Sequence, residues 1–171
     1  MTLGVFGYGH TGRAVAQKAN LFGMRVIAHS PHFTTANAPN NVQPVSFDEM
    51  LLQSDIISVN CTVNDVTRNL FSRSVFEKMK DGSYFINTSR GDVVVEEDLV
   101  LALKSGKLAG AALDVTRNEP IPEDSPLVGA PNLIITPHIA GSADDVQTCG
   151  TQMVVESLLA YLEGVKPPYT V

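Results

Sequence analysis

A doubly wound parallel α/β sheet is the fold class the sequence predicts, and three observations carry that prediction. Its short apolar runs are unalternated, as strands buried on both faces require. Segments with helical spacing separate those runs. The first run ends in a turn that places Gly7, Gly9 and Gly12 at GxGxxG spacing.

The elements follow in order. Residues 2–6, TLGVF, form the first strand, and 10–22 set Ala14, Val15, Lys18, Ala19 and Phe22 at helical spacing before Gly23 closes the helix. MRVIAHS, 24–30, is a second strand stopped by Pro31, which completes a βαβ unit. The turn-rich stretch 31–44 reads as a surface loop, and Ser46 with Glu49 has capping-box spacing before a short helix. DIISVN, 55–60, is the third strand; Ser74 and Glu77 offer another capping box, and SYFINT, 83–88, is the fourth strand. Helix 96–105 stops at Gly106. AGAALDV, 109–115, and NLIIT, 132–136, supply strands five and six, joined by a loop 116–131 that holds Pro120, Pro122, Pro126 and Pro131. A last helix is expected from near Ser142 to Glu163, with Val146, Met153, Val154, Leu158, Leu159 and Leu162 on one face. Six strands in the order 3-2-1-4-5-6, between two helical layers, make a Rossmann fold with its ligand crevice where that order reverses.

Bulk properties narrow the function classes. A chain of 171 residues buries about 70% of its unfolded surface as one domain. The formal net charge of −6, with no Lys/Arg run, argues against a nucleic-acid partner. Cys61 and Cys149 have neither CxxC nor metal-ligand spacing and read as reduced thiols. No apolar stretch approaches the roughly 18 residues of a membrane span, and the N-terminus lacks a signal-peptide pattern. A cytoplasmic protein with no membrane partner and no metal is expected.

In the first turn, Gly7 permits the tight bend, Gly9 a close backbone approach to a pyrophosphate, and Gly12 close helix-to-strand packing. The helix beyond supplies N–H donors and a partial positive charge. An acid is usual at the end of the second strand to take the ribose hydroxyls; Ser30 stands there instead. Without that carboxylate a 2'-phosphate is not repelled, and Ser30 or a protonated His32 could bind one; equally, Ser30 could hydrogen-bond the ribose of NAD. His29 and His32 lack a nearby third ligand and do not make a metal site. Three chemical groups stand after successive strands. Arg90 could clamp a carboxylate, Glu119 could hold an imidazole in one tautomer, and His138 could exchange a proton near neutral pH.

The stretches GYGHTGRAVA, LFGMRVIAHSP, FEKMKDGSYFINTSRGDVVVEEDLVLALKSGKLAGAALDV, NEPIP and NLIITPHIAG resemble the D-isomer-specific 2-hydroxyacid dehydrogenases, from Leu3 to about Pro168. The resemblance implies hydride transfer between a nicotinamide cofactor, NAD or NADP, and C2 of a 2-oxo or 2-hydroxy acid. It implies that Arg90 binds the substrate carboxylate, that His138 donates the proton and that Glu119 pairs with that histidine. It further places the backbone of His10 and Thr11 at the pyrophosphate, and Cys61, Thr67, Thr88 and Asp114 along the adenosine and nicotinamide ends. Homodimers through this domain are implied as well.

Two departures qualify it. Family members carry a second, substrate-binding domain, so residues 1–171 are expected to be the dinucleotide-binding domain alone, weakly active or inactive without its partner domain, with 165–171 a stub of the return. NCTVNDVT lacks the proline usual near position 62. The dehydrogenase reading therefore stands beside a second one, a non-catalytic NAD(H)-binding regulatory or interaction module; a flavin or adenosyl ligand is disfavoured by the Arg-Glu-His set.

Overall fold

The first strand, β1 (Thr2–Phe6), sorts the core into two halves by its pleat. Leu3 and Val5 are buried on one side with Ala16 and Ala19, and Phe6 on the other with Met50, Phe71 and Phe85. The structure, a computed structural model, describes residues 1–169; the last two residues of the expected stub at 165–171 lie outside them. It divides into one unit of Met1–Pro137 and a second that begins at His138.

In the first unit β1 leads to α1 (His10–Leu21), β2 (Arg25–His29), β3 (Val42–Pro44), α2 (Phe47–Gln53) and β4 (Ile56–Val59). It continues through α3 (Arg73–Lys78), β5 (Ser83–Asn87), α4 (Glu96–Lys104), β6 (Leu108–Leu113) and β7 (Leu133–Ile135). The seven strands lie in the order β3-β2-β1-β4-β5-β6-β7 and every pair is parallel. The predicted Rossmann order holds and gains one strand. Its third place is filled by β3, from the segment 31–44 expected as loop, so the run 55–60 supplies the fourth strand, beside β1. Val42 pairs with Val26 and is buried. A three-residue edge strand has too few side chains to show a period, and pairing with β2 rather than local pattern creates it.

The helices α2, α3 and α4 pack over one face around Phe71, whose ring lies 5.3 Å from Phe6 and 5.0 Å from Phe85. Each such buried aromatic contributes about 3 kcal/mol. On the opposite face α1 covers β1 and β2. Farther along that face Tyr84 of β5 and Ile134 of β7 stand 45% and 67% exposed.

Local end signals hold in part. Ser46 Oγ accepts from Glu49 N at 3.2 Å while Glu49 Oε2 accepts from Ser46 N at 2.8 Å, the expected capping box of α2. The box expected at Ser74 and Glu77 does not form. The helix starts earlier, at Arg73, whose N–H donates to Asp98 Oδ2 at 2.8 Å, and Glu77 pairs with Arg73 Nε at 2.8 Å. A carboxylate from α4 displaces the local cap. Helix α4 ends as expected, with Gly106 at φ +74°.

The second unit carries α5 (Asp144–Leu162), within the expected 142–163. Its predicted apolar face is exposed, Val154, Leu158 and Leu162 at 68%, 56% and 71%. Among the described residues no helix is long and apolar enough to cross a membrane.

Candidate functional site

Parallel pairing places the carboxyl ends of the strands of the first unit along one edge of the sheet, and the loops that leave them hold the predicted groups. Gly7, after β1, donates its N–H to His29 O at 2.9 Å and adopts φ +91°. A Cβ there would come within 2.8 Å of the Asn60 carbonyl, so the bend needs glycine twice over. A Cβ on Gly12 would strike the carbonyl oxygen of Gly7. Gly9 differs, since a Cβ there would meet nothing within 4 Å.

Gly9 is also the N-cap of α1. No side chain caps the helix and its first turn, with exposed His10 and Thr11, contains no acid. Its leading N–H groups and dipole keep their positive character, which suits a diphosphate. Sequence reasoning missed what supports this loop. Tyr8 is buried against Phe33, ring centroids 3.9 Å apart, with the Arg13 guanidinium 5.7 Å from the Tyr8 ring. Burial raises the Tyr8 phenol above its usual pKa, opposed by Arg13. Only the aromatic identities hinted at this pair.

After β2, the Ser30 carbonyl accepts from Phe33 N at 3.0 Å in a turn that leaves Ser30 half-buried. His29 is tied into the fold, Nδ1 lying 3.0 Å from Val45 O and its ring stacked on Phe6. His32 is exposed, its carbonyl held by Asn37 Nδ2 at 2.8 Å.

After β4, burial pushes the half-buried Cys61 thiol up to about 11, against hydrogen bonds that act the other way. Thr67 is buried and donates its hydroxyl to Thr62 O at 2.7 Å, so that group builds the 62–67 turn. After β5, Asn87 organises the next loop: Oδ1 accepts from Ser89 N at 3.0 Å and Ser89 Oγ at 2.8 Å, and Nδ2 donates to Arg90 O at 2.9 Å. This leaves Thr88 and Arg90 exposed, with Arg90 Nη1 donating to Ser89 O at 2.7 Å.

After β6, Asp114 is buried and accepts from Thr136 Oγ1 at 2.5 Å, which links the ends of β6 and β7. Glu119 is exposed and its Oε1 accepts from Thr116 N at 3.0 Å. The first unit thus gathers Gly7, Gly9, Ser30, Cys61, Thr67, Thr88, Arg90, Asp114 and Glu119 on loops that follow strand carboxyl ends, with Gly12 in the first turn of α1. His138 opens the second unit with φ +54°, a conformation that few non-glycine residues adopt.

Comparison with known proteins agrees with this architecture. Hydroxypyruvate reductase of Blautia hydrogenotrophica is 41% identical over 162 residues, covering 95% of this chain and 50% of that protein. Human glyoxylate reductase/hydroxypyruvate reductase is 37% identical over 98% of this chain and 52% of its own length. The crystal structure of a glyoxylate reductase from Paecilomyes thermophila superposes with a TM-score of 0.87 at 39% identity, over 95% of this chain and 49% of that one. The chain spans about half the length of the curated relatives it matches. Residues 1–140 match the NAD binding domain of the D-isomer specific 2-hydroxyacid dehydrogenases, and the chain belongs to that family.

Proposed function

We propose that this chain is the nicotinamide-dinucleotide-binding domain of a cytoplasmic oxidoreductase that reduces a small 2-oxo acid to the 2-hydroxy acid. The observation that carries the reading is the glycine turn between β1 and α1, where Gly9 faces open space before an uncapped, acid-free helix terminus. Bound there, the nicotinamide supplies the hydride.

The chain's own residues do the rest. First-turn N–H groups of α1, with His10 and Thr11, hold the pyrophosphate. Ser30, with no carboxylate to repel a 2'-phosphate, receives the ribose of NADP as readily as that of NAD. Cys61, Thr67, Thr88 and Asp114 line the adenosine and nicotinamide ends. Arg90, exposed beyond β5, clamps the substrate carboxylate through its planar fork. His138 gives a proton to the C2 oxygen as negative charge develops there, and Glu119 is the acid that fixes an imidazole tautomer. We assign residues 1–171 to one dinucleotide-binding domain that works with a separate substrate domain. We also propose a homodimer through this domain. The exposed Tyr84 and Ile134 on the sheet face support it, and sedimentation against concentration tests it.

The functional test, run on the protein with its substrate domain present, pairs titration with NADH and NADPH and an assay of glyoxylate and hydroxypyruvate reduction, the activities named for relatives. Binding with turnover that His138→Ala abolishes while leaving cofactor affinity intact is the expected result. Unchanged turnover in that variant would remove the assignment of His138, and cofactor binding with no turnover would favour a regulatory module.

A further inference from the structure

Glu96 is a buried acid and the first residue of α4, and its carboxylate binds a backbone N–H outside that helix. Its Oε1 accepts from Arg117 N at 2.7 Å, in the loop that carries Glu119. The helix dipole and that hydrogen bond together make a carboxylate tolerable there. The same loop is fastened at two further points. Arg117 Nη2 donates to Val94 O at 3.1 Å and to Asn69 Oδ1. Gly91 lies so close under Thr116 that a Cβ would strike the Thr116 carbonyl. Residues 90–96 and 116–119 therefore form one braced unit, with Arg90 at one end and Glu119 at the other.

The brace reaches the Glu119 carboxylate in two steps. Arg117 N–H is held by Glu96, and the adjacent Thr116 N–H is the donor that Glu119 Oε1 accepts. Thr116 Oγ1 closes the turn by donating to Asn118 O at 2.9 Å. Glu119 Oε1 is anchored on the Thr116 N–H, so the path of the 115–117 backbone sets where that oxygen is held.

We propose that Glu96 is a positioning residue for the reaction: through Arg117 N–H it fixes the Thr116–Glu119 loop against the Arg90 segment and so aims the Glu119 carboxylate. The proposal rests on the dehydrogenase reading for its chemistry and on these hydrogen bonds for its geometry. It predicts that an acceptor oxygen at position 96 matters and that its charge matters little.

Glu96→Ala and Glu96→Gln test it in the protein that carries the substrate domain. In Glu96→Ala the Arg117 amide should exchange with solvent roughly tenfold faster or more. The Thr116 amide proton should move upfield as its bond to Glu119 loosens. With glyoxylate and NADH, kcat should fall about 10- to 100-fold while KM for NADH stays within about twofold. Glu96→Gln, which keeps an acceptor, should restore all three readouts. A Thr116 resonance and kcat unmoved by Glu96→Ala, or a Glu96→Gln variant as impaired as Glu96→Ala, overturns the proposal. A wild-type protein with its substrate domain that binds NADH and reduces neither acid sinks the dehydrogenase reading instead. The Thr116 and Arg117 resonances then decide alone whether Glu96 holds the Glu119 loop.

Discussion

The side-chain amide of Asn87 donates to the Arg90 carbonyl at 2.9 Å, so the last residue of β5 dictates the path of the loop that presents Arg90. Asn87 is fully buried, and its Oδ1 also serves the Ser89 amide and hydroxyl. Asn87→Ala leaves buried donors and a carbonyl without partners and should destabilise the chain by about 2–3 kcal/mol. The midpoint of urea unfolding measures this. A midpoint equal to wild type would mean that the loop holds its shape without Asn87.

The contrast between what was and was not legible follows the range of the interactions. The β1 turn and α1 could be read because glycine spacing and helical period are local properties, and Gly7 and Gly12 meet their limits within that short stretch and at Asn60. Strand β3 was hidden because Val42 is held by its pairing with Val26. The α3 cap was misread because Asp98, remote in sequence, outcompetes Ser74 for the terminus. The same holds at the site. Arg90 and Glu119 could be placed by their positions after strands, whereas Asn87, the Tyr8–Phe33 pair and the engagement of the Thr67 hydroxyl depend on partners that no motif announces.

Gly12→Ala separates the loop's shape from the fold's stability. The new methyl group would strike the Gly7 carbonyl and also press on Val5 Cγ1 at 3.2 Å, so the turn must open. Opening displaces the N–H groups proposed to hold the pyrophosphate, and NADH affinity should fall roughly 100-fold or more, about 3 kcal/mol. Fluorescence titration reads the affinity, and circular dichroism checks that the chain remains folded. Affinity within a few-fold of wild type would place the diphosphate elsewhere.

Cys61 should be a slow thiol. With its pKa pushed up to about 11 by burial, only about one molecule in a thousand carries the thiolate at pH 8. The exposed Cys149 should therefore react first with iodoacetamide, and Cys61 labelling should accelerate as pH climbs toward 11. The thiol's folded pKa lies above its ordinary 9.0, so its contribution to stability is complete below pH 9 and is lost between there and about 11. Unfolding midpoints across that window should fall for wild type and fall less for Cys61→Ala. Peptide mapping that finds Cys61 labelled as fast as Cys149 at pH 8 would contradict the burial of that side chain.

Ser30→Asp asks which cofactor the β2 terminus admits. The Ser30 carbonyl already accepts from Phe33 N at 3.0 Å, and aspartate suits the first position of such a turn, so the loop should survive the change. What changes is charge: a carboxylate beside the ribose can accept from the 2'- and 3'-hydroxyls of NADH and repels the 2'-phosphate of NADPH. NADPH affinity should drop by roughly tenfold or more while NADH affinity holds or improves. Repeating the titration at high salt should narrow the difference, because a partly exposed charge pair is screened within about 10 Å at 0.1 M. If NADPH binds the variant as tightly as wild type, the Ser30 side chain does not face the ribose, and discrimination between the cofactors would have to come from elsewhere in the turn, where His32 is the nearest exposed basic group in sequence.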